Sequence, residues 1–259
     1  MTGGGGLSEP GKVAPQPSSS GLEQAAQAGR PQMARRRRAV AFWVGLVLVL
    51  AGLGTLGYVA WELYGTTIVS RQTQQRIVDE LESEWSAPAD RSSQPDAWTA
   101  KENRPRLGDA TALIRIPAFG DGYVTPVIEG IGDAELARGF GHFPGTANPG
   151  ERGNYALAGH RITHGEPLRD MPELRPGHEV IVETRDAVFT YELVTNPNDL
   201  VVTFEDVWVV DPLPKNPDGG VQPAQKPGQR LITLTTCAEL FATDYRMIVF
   251  GQLVDTERN

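Results

Sequence analysis

Apolar and polar residues recur with three different periods along this chain, and each period predicts a different kind of element. Residues 39–61 (AVAFWVGLVLVLAGLGTLGYVAW) run for 23 positions without a charge, long enough to cross a bilayer, which takes roughly 20 apolar residues. Residues 72–85 place Ile77, Val78, Leu81 and Trp85 at the spacing of an amphipathic helix. From Ala110 onward the pattern shortens to apolar runs punctuated by Gly and Pro, the signature of an all-β barrel or sandwich.

Within that last region the pattern predicts strands at 112–116, stopped by Pro117, and at 123–128, where Pro126 implies an edge or a bulge. A helical turn capped by Asp133 is expected over 133–138. Residues 139–154 read as a Gly/Pro loop leading to a strand at 155–159. Residues 166–174 read as a short helix ended by Arg175-Pro176-Gly177. Segments 179–184 and 187–195 form a hairpin about Arg185-Asp186, and strands follow at 199–203 and 207–210. A proline-rich loop, 211–229, is of a length that either binds something or spans a gap. The final strands, 231–236 and 245–254, pair antiparallel across a short connection.

Composition separates the chain into stretches with different fates. Residues 1–34 are rich in Gly, Pro, Ser, Gln and Ala and are expected to be a disordered tail. Arg35, Arg36, Arg37 and Arg38 immediately precede the apolar run. A basic flank keeps that side in the cytoplasm, so 35–64 reads as a transmembrane signal anchor with everything after Glu62 outside. A cleaved signal peptide is the rival, but the run is longer than an h-region and ends without a small-x-small site. Residues 65–109, with Pro88, Pro95 and Pro105, read as a stalk helix and linker that hold a folded domain, 110–259, off the membrane.

Charge follows the same division. Residues 1–64 carry six Lys/Arg against three Asp/Glu, and the remainder 18 against 29, so a segment of net +3 precedes one of net −11. An acidic outer domain argues against nucleic-acid binding, which needs a basic footprint. One cysteine in 259 residues permits no intramolecular disulfide. In an exported protein such a thiol needs a function or deep burial to survive.

That cysteine, Cys237, ends the strand LITLTTC, and Arg246 begins its hairpin partner. The hairpin brings a guanidinium beside a thiol. Upstream, the apolar strand ALAGH ends in His160. Thiolate, imidazole and guanidinium are the parts of an acyl-transferring thiol enzyme: nucleophile, proton shuttle and oxyanion donor. Spacing alone does not show that the three meet. A lone Cys at a strand end is otherwise a small buried hydrophobe, and Arg246 an outward salt-bridging residue. His160 and His164 could form a metal pair, but no further ligands at zinc spacing support one, nor do the acidic loops at Asp121, Glu129 and Asp133 have the order of a calcium loop.

LAGHR (157–161), TLTTC (233–237) and an Arg nine positions after the Cys together resemble the sortases, membrane-anchored cysteine transpeptidases of Gram-positive bacteria. IPAFGDGYVTPVIEG (116–130), GHFPGTANPGERGN (141–154) and TTCAELFATDYRM (235–247) make the chain most similar to class E of the actinobacteria. The resemblance covers roughly 111–254. It implies a closed β-barrel of about eight strands with short helices, preceded by one transmembrane helix. By position it implies Cys237 as nucleophile, His160 as acid/base and Arg246 as substrate and oxyanion clamp; from the residues themselves no cofactor and no metal are expected. Thr236, His142 and Tyr123 are weaker candidates for substrate contact, and His164 could shape the entrance.

The implied reaction cleaves an LAxTG- or LPxTG-like sorting signal between Thr and Gly and passes the acyl group, held as a thioester, to an amine. Its partners would be surface proteins with C-terminal sorting signals and a peptidoglycan-precursor or pilin amine. The chain departs from many sortases in having Ala238-Glu239 where a polar residue and a proline follow the Cys, which bears on substrate preference. An L,D-transpeptidase signature fails at Thr236 and Glu239, where it requires Gly and Arg. The non-enzymatic alternative is a membrane-tethered β-domain, an adhesin or assembly scaffold, with an incidental cysteine.

Overall fold

The computed structural model describes residues 30–61, 65–86, 105–238 and 244–259. The expected tail up to residue 29, most of the expected linker (87–104) and the tip of the last hairpin (239–243) lie outside the described residues. Contacts divide the chain into two units, one ending at Tyr58 and the other running from Val59 to Asn259.

Helix α1 (Arg30–Ala60) contains a 22-residue stretch, Ala39–Ala60, long and apolar enough to cross a membrane. Most of its Val, Leu and Phe side chains are exposed, and a helix that satisfies its backbone internally while presenting apolar side chains suits a lipid solvent.

Helix α2 (Thr66–Ser86) belongs to the second unit. It is not a free-standing stalk. Ile77, Val78 and Leu81 are buried against Leu113 and Ile128, with Trp85 packed at the edge. Three of the four apolar residues that the amphipathic period singles out are thus buried, each contributing about 1.5–3 kcal/mol when fully covered, alongside the polar Thr67, Ser70 and Gln74. Two ion pairs extend the contact, Arg115 to Glu82 at 2.8 Å and Arg185 to Glu84.

Nine strands follow: β1 (Ala110–Arg115), β2 (Thr125–Glu129), β3 (Phe140–His142), β4 (Gly153–Ala158), β5 (Glu179–Glu183), β6 (Ala187–Leu193), β7 (Val201–Thr203), β8 (Arg230–Cys237) and β9 (Tyr245–Arg258). Their order is β6-β5-β1-β2-β3-β4-β8-β9, and β9 returns to pair with β6, closing a barrel of eight strands. Closure removes the open edges that an exposed sheet would offer for aggregation. The expected all-β closed barrel is thus the architecture found. Strand β7 adds to the first three residues of β9, outside the closed ring. Phe140, Tyr155, Leu157, Ile232, Leu234 and Val249 fill the interior with almost no exposure.

Several local expectations are corrected. Strand β3 lies inside the stretch expected to be a Gly/Pro loop. Its glycines serve close approach: a Cβ on Gly139 would sit 2.2 Å from the Pro126 carbonyl oxygen, and one on Gly141 2.4 Å from that of Gly130. Pro126 is not at an edge. It faces Leu113 of β1 just before the parallel β2–β3 pairing begins at Val127, and the irregularity of the β1–β2 ladder falls between Ala110 and Ala112 of β1. Gly132, not Asp133, is the N-cap of helix α3 (Asp133–Leu136). The expected helix over 166–174 is reduced to a 3-10 turn, Met171–Glu173. Glu166 sits at φ 57°, a left-handed conformation no α-helix accepts, and Pro172 removes a backbone donor.

Candidate active site

Two neighbouring strands deliver the chemistry to one end of the barrel. Strands β4 and β8 run parallel, with Ala158 opposite Thr235. Beyond that pair the backbones stay joined: the Gly159 amide donates to the Thr235 carbonyl at 3.0 Å, and the Thr236 hydroxyl donates to the Gly159 carbonyl at 2.7 Å. His160 and Cys237, each the next residue along its chain, thus emerge side by side. On the other flank of β8, Cys237 is the direct antiparallel partner of Arg246, and Thr235 of Ile248. Direct partners project to the same face with Cβ atoms about 4.5–5.5 Å apart.

The face is settled by alternation. Ile232 and Leu234 of β8 point into the barrel core, so Thr233, Thr235 and Cys237 point the other way. There, Leu200, Val209, Ile248 and Phe250 form a second apolar cluster. Between it and helix α3 opens a cleft of about 430 Å³ whose lining includes His160, Thr235, Thr236, Cys237 and Arg246. Its remaining wall is largely apolar, with Ile131 and Leu136 on one side and Val202, Phe204 and Val207 on another.

The three candidate side chains have distinct surroundings. Cys237 is a free thiol of intermediate exposure. His160 stacks on His164, ring centroids 4.6 Å apart and planes 28° apart, and its Nδ1 lies 3.3 Å from the Thr163 hydroxyl. Burial, helped by His164 and opposed by Asp133, pulls the His160 imidazole down to about 4. It is therefore neutral at pH 7, with one ring nitrogen unprotonated. Arg246 donates to its neighbour's carbonyl, Tyr245 O, at 3.0 Å. A neutral base, a thiol and a guanidinium within one apolar-walled cleft can carry nucleophilic acyl transfer.

The weaker candidates part company. Thr236 lines the cleft, although its hydroxyl is committed to Gly159. His142 does not reach it. Its ring is buried, Nδ1 2.6 Å from Glu129 Oε2 and Nε2 2.9 Å from the Thr146 hydroxyl. It borders a separate, polar depression with Asn148, Glu151 and Arg152. Tyr123 also lies elsewhere. Its hydroxyl donates to the Pro167 carbonyl at 2.6 Å, its ring packs edge-on to Phe119, and burial raises its pKa.

Two features escape a reading of the sequence. Arg161, directly after His160, donates to the Ala238 carbonyl directly after Cys237, a second guanidinium tying the two chain segments. Its Nε is buried without a partner among the described residues. The wall over 202–210 is the other. Residues 207–210 look like a strand because they are β-branched and aromatic, but they form a 3-10 turn. Ahead of it, Asp206 accepts from both the Thr203 amide and hydroxyl at 2.7 Å, closing the turn between β7 and the 3-10 segment. Those bonds hold its carboxyl below the usual range.

Comparison with known proteins follows the same line. A family model described as the sortase domain matches residues 114–254. Sortase SrtE1 of Streptomyces coelicolor is 34% identical over 224 residues, 82% of this chain; the chain spans only 56% of that protein's length. Among solved structures, sortase E of Streptomyces avermitilis is 37% identical with a TM-score of 0.51, the match covering 59% of this chain and 93% of that one. Sortase E1 of Streptomyces coelicolor, solved with a tripeptide in its active site, is 36% identical with a TM-score of 0.51 over 60% and 94%.

Proposed function

Because the chain belongs to the sortase family, we propose that it is a class E cysteine transpeptidase, anchored by α1 with its amino terminus in the cytoplasm and its barrel outside. Cys237 is the nucleophile, His160 the acid/base and Arg246 the oxyanion and substrate clamp. The observation that carries this reading is the register: Cys237 opposite Arg246 on one face, with His160 on the adjoining strand end, around a single cleft.

The reaction follows from these groups. Neutral His160 takes the Cys237 proton, and Sγ attacks the Thr carbonyl carbon of an LAxTG- or LPxTG-like sorting signal. Arg246 donates to the oxygen as it gains charge. The imidazolium returns the proton to the glycine nitrogen, the Thr–Gly C–N bond breaks, and a thioester remains. An amine of a peptidoglycan precursor or a pilin then attacks that carbonyl, His160 takes its proton, and Cys237 leaves as thiolate and is reprotonated. The apolar wall, Ile131, Val202 and Val207, suits the aliphatic residue that opens such a signal. The tripeptide in the active site of sortase E1 supports a peptide as the occupant.

The test uses the full chain in detergent micelles with LAETG and LPETG peptides and a glycine-based amine, products followed by mass spectrometry. Cleavage after Thr with transfer to the amine, lost in Cys237→Ala, is expected, with LAETG preferred. Equal product from the Cys237→Ala chain would refute the reading.

A further inference from the structure

The face of His160 covered by His164 leads to helix α2. His164 belongs to a loop, 161–166, whose backbone runs through three consecutive left-handed residues: His164 at φ 52°, Gly165 at 87° and Glu166 at 57°. Two of these carry side chains, and such conformations persist only where the surroundings impose them. Helix α2 supplies those surroundings. Gln74, itself buried, donates from Nε2 to the His164 carbonyl at 3.0 Å, and its amide lies over Gly165 so closely that a Cβ there would meet it at 2.6 Å. Glu166 is held from two sides, by Arg71 of α2 at 3.3 Å and by Arg169 at 2.7 Å. The His164 Nδ1 is buried without a partner among the described residues. Packing and its pinned carbonyl, not a bond from that nitrogen, keep the ring in place.

We propose that His164 is a positioning residue for His160, covering one face of its imidazole, and that Gln74 of α2 holds His164 there. The inference rests on the reading of His160 as the acid/base. An imidazole with one face covered by a ring has fewer rotamers and less water around it, so it is presented to Cys237 in one orientation and stays neutral. The groups around His160 bear on its charge as follows. His164 comes from its own loop, Asp133 from α3, Asp206 from the wall, Cys237 from β8 and Arg246 from β9. Among these His164 is the one stacked on it. The helix that follows the membrane span in the chain is thereby part of the catalytic machinery's support.

The test measures the His160 titration by NMR in full-length, histidine-labelled protein in micelles, in a Cys237→Ala background, assigned by comparison with His160→Gln. His164→Ala is expected to raise the His160 midpoint from about 4 toward the ordinary 6.5. With Cys237 restored it should lower kcat by about tenfold with KM little changed. His164→Phe, which keeps a ring on the face but removes its charge, should leave kcat near the parent value and raise the midpoint by less than His164→Ala. Gln74→Ala should move the midpoint in the same direction by less, and its side chain can be truncated without cutting the helix. If His164→Ala does not fold, Gln74→Ala and His164→Phe decide. An unchanged His160 midpoint in the folded Ala variants overturns the proposal. Should His160→Gln leave peptide transfer intact, the catalytic reading of His160 fails, while the titrations still decide whether His164 and Gln74 govern its environment.

Discussion

His142 and His160 stand at the ends of neighbouring strands, β3 and β4, yet the fold treats them in opposite ways. His142 is buried with both ring nitrogens engaged, one by Glu129 and the other by Thr146. His160 borders a cleft, bonds no carboxylate among the described residues, and has a hydroxyl at 3.3 Å and a ring for company. A satisfied ring is a strut; a ring kept neutral at an apolar-walled cleft beside a thiol is a reagent. The difference comes from what the adjoining elements supply. Strand β2 ends in Glu129, opposite His142 in register, whereas β8 ends in Cys237.

Substitutions should separate the two. The largest effect is expected from His160→Gln: a fall in kcat/KM of about 10²–10⁴ with the thermal midpoint nearly unchanged, read by peptide transfer and differential scanning fluorimetry. Arg246→Lys should follow, lowering kcat by about 10²–10³ if the guanidinium serves the oxyanion. A lysine there keeps the charge without the fork of donors. His142→Gln should behave oppositely. Leaving Glu129 buried without its partner should cost about 1–3 kcal/mol of stability in urea unfolding, while kcat of the remaining folded protein changes less than twofold. A variant of His142 with lost activity and retained stability would break the comparison.

The smallest effects are those of pH. His160 binds its proton in the unfolded chain near 6.5 and in the fold near 4, so the unfolded state holds more protons between those values. Folding stability contributed by this group is therefore lost as pH falls from 6.5 toward 4, and His160→Gln should flatten that part of the stability curve. For the same reason the acid limb of kcat/KM is expected well below 6.5. An acid limb near 6.5 would place His160 in an ordinary aqueous setting and contradict the buried, stacked geometry.

How much of this could be read from residues depends on the kind of residue. Strands β8 and β9 were legible because they are rich in β-branched and apolar residues, with no Pro in either and a single Gly, Gly251, in β9, and their pairing followed from the short connection. That sufficed to bring Cys237 opposite Arg246. Strand β3 was hidden because its neighbours had to be glycines for close packing against β2, and glycine reads as loop. The separation of His142 from His160 was likewise invisible, since it depends on Glu129, thirteen positions upstream and adjacent only through a parallel pairing. Helix α2 was legible as amphipathic, but which surface its apolar face covers is a long-range fact. Its polar residues Arg71 and Gln74, which reach the His164 loop, add nothing to an apolar period, although Gln74 is buried on the same face as Ile77, Val78 and Leu81.

The central claim is that Cys237 attacks the peptide. The most direct measurement is the intact mass of the full-length chain after brief exposure to LAETG peptide without an acceptor amine, followed by peptide mapping. An acyl adduct ending in Thr, confined to Cys237, released by hydroxylamine and absent from Cys237→Ala, is the predicted result. Cleaved peptide with no adduct in the wild-type chain, or with equal cleavage by Cys237→Ala, would contradict it.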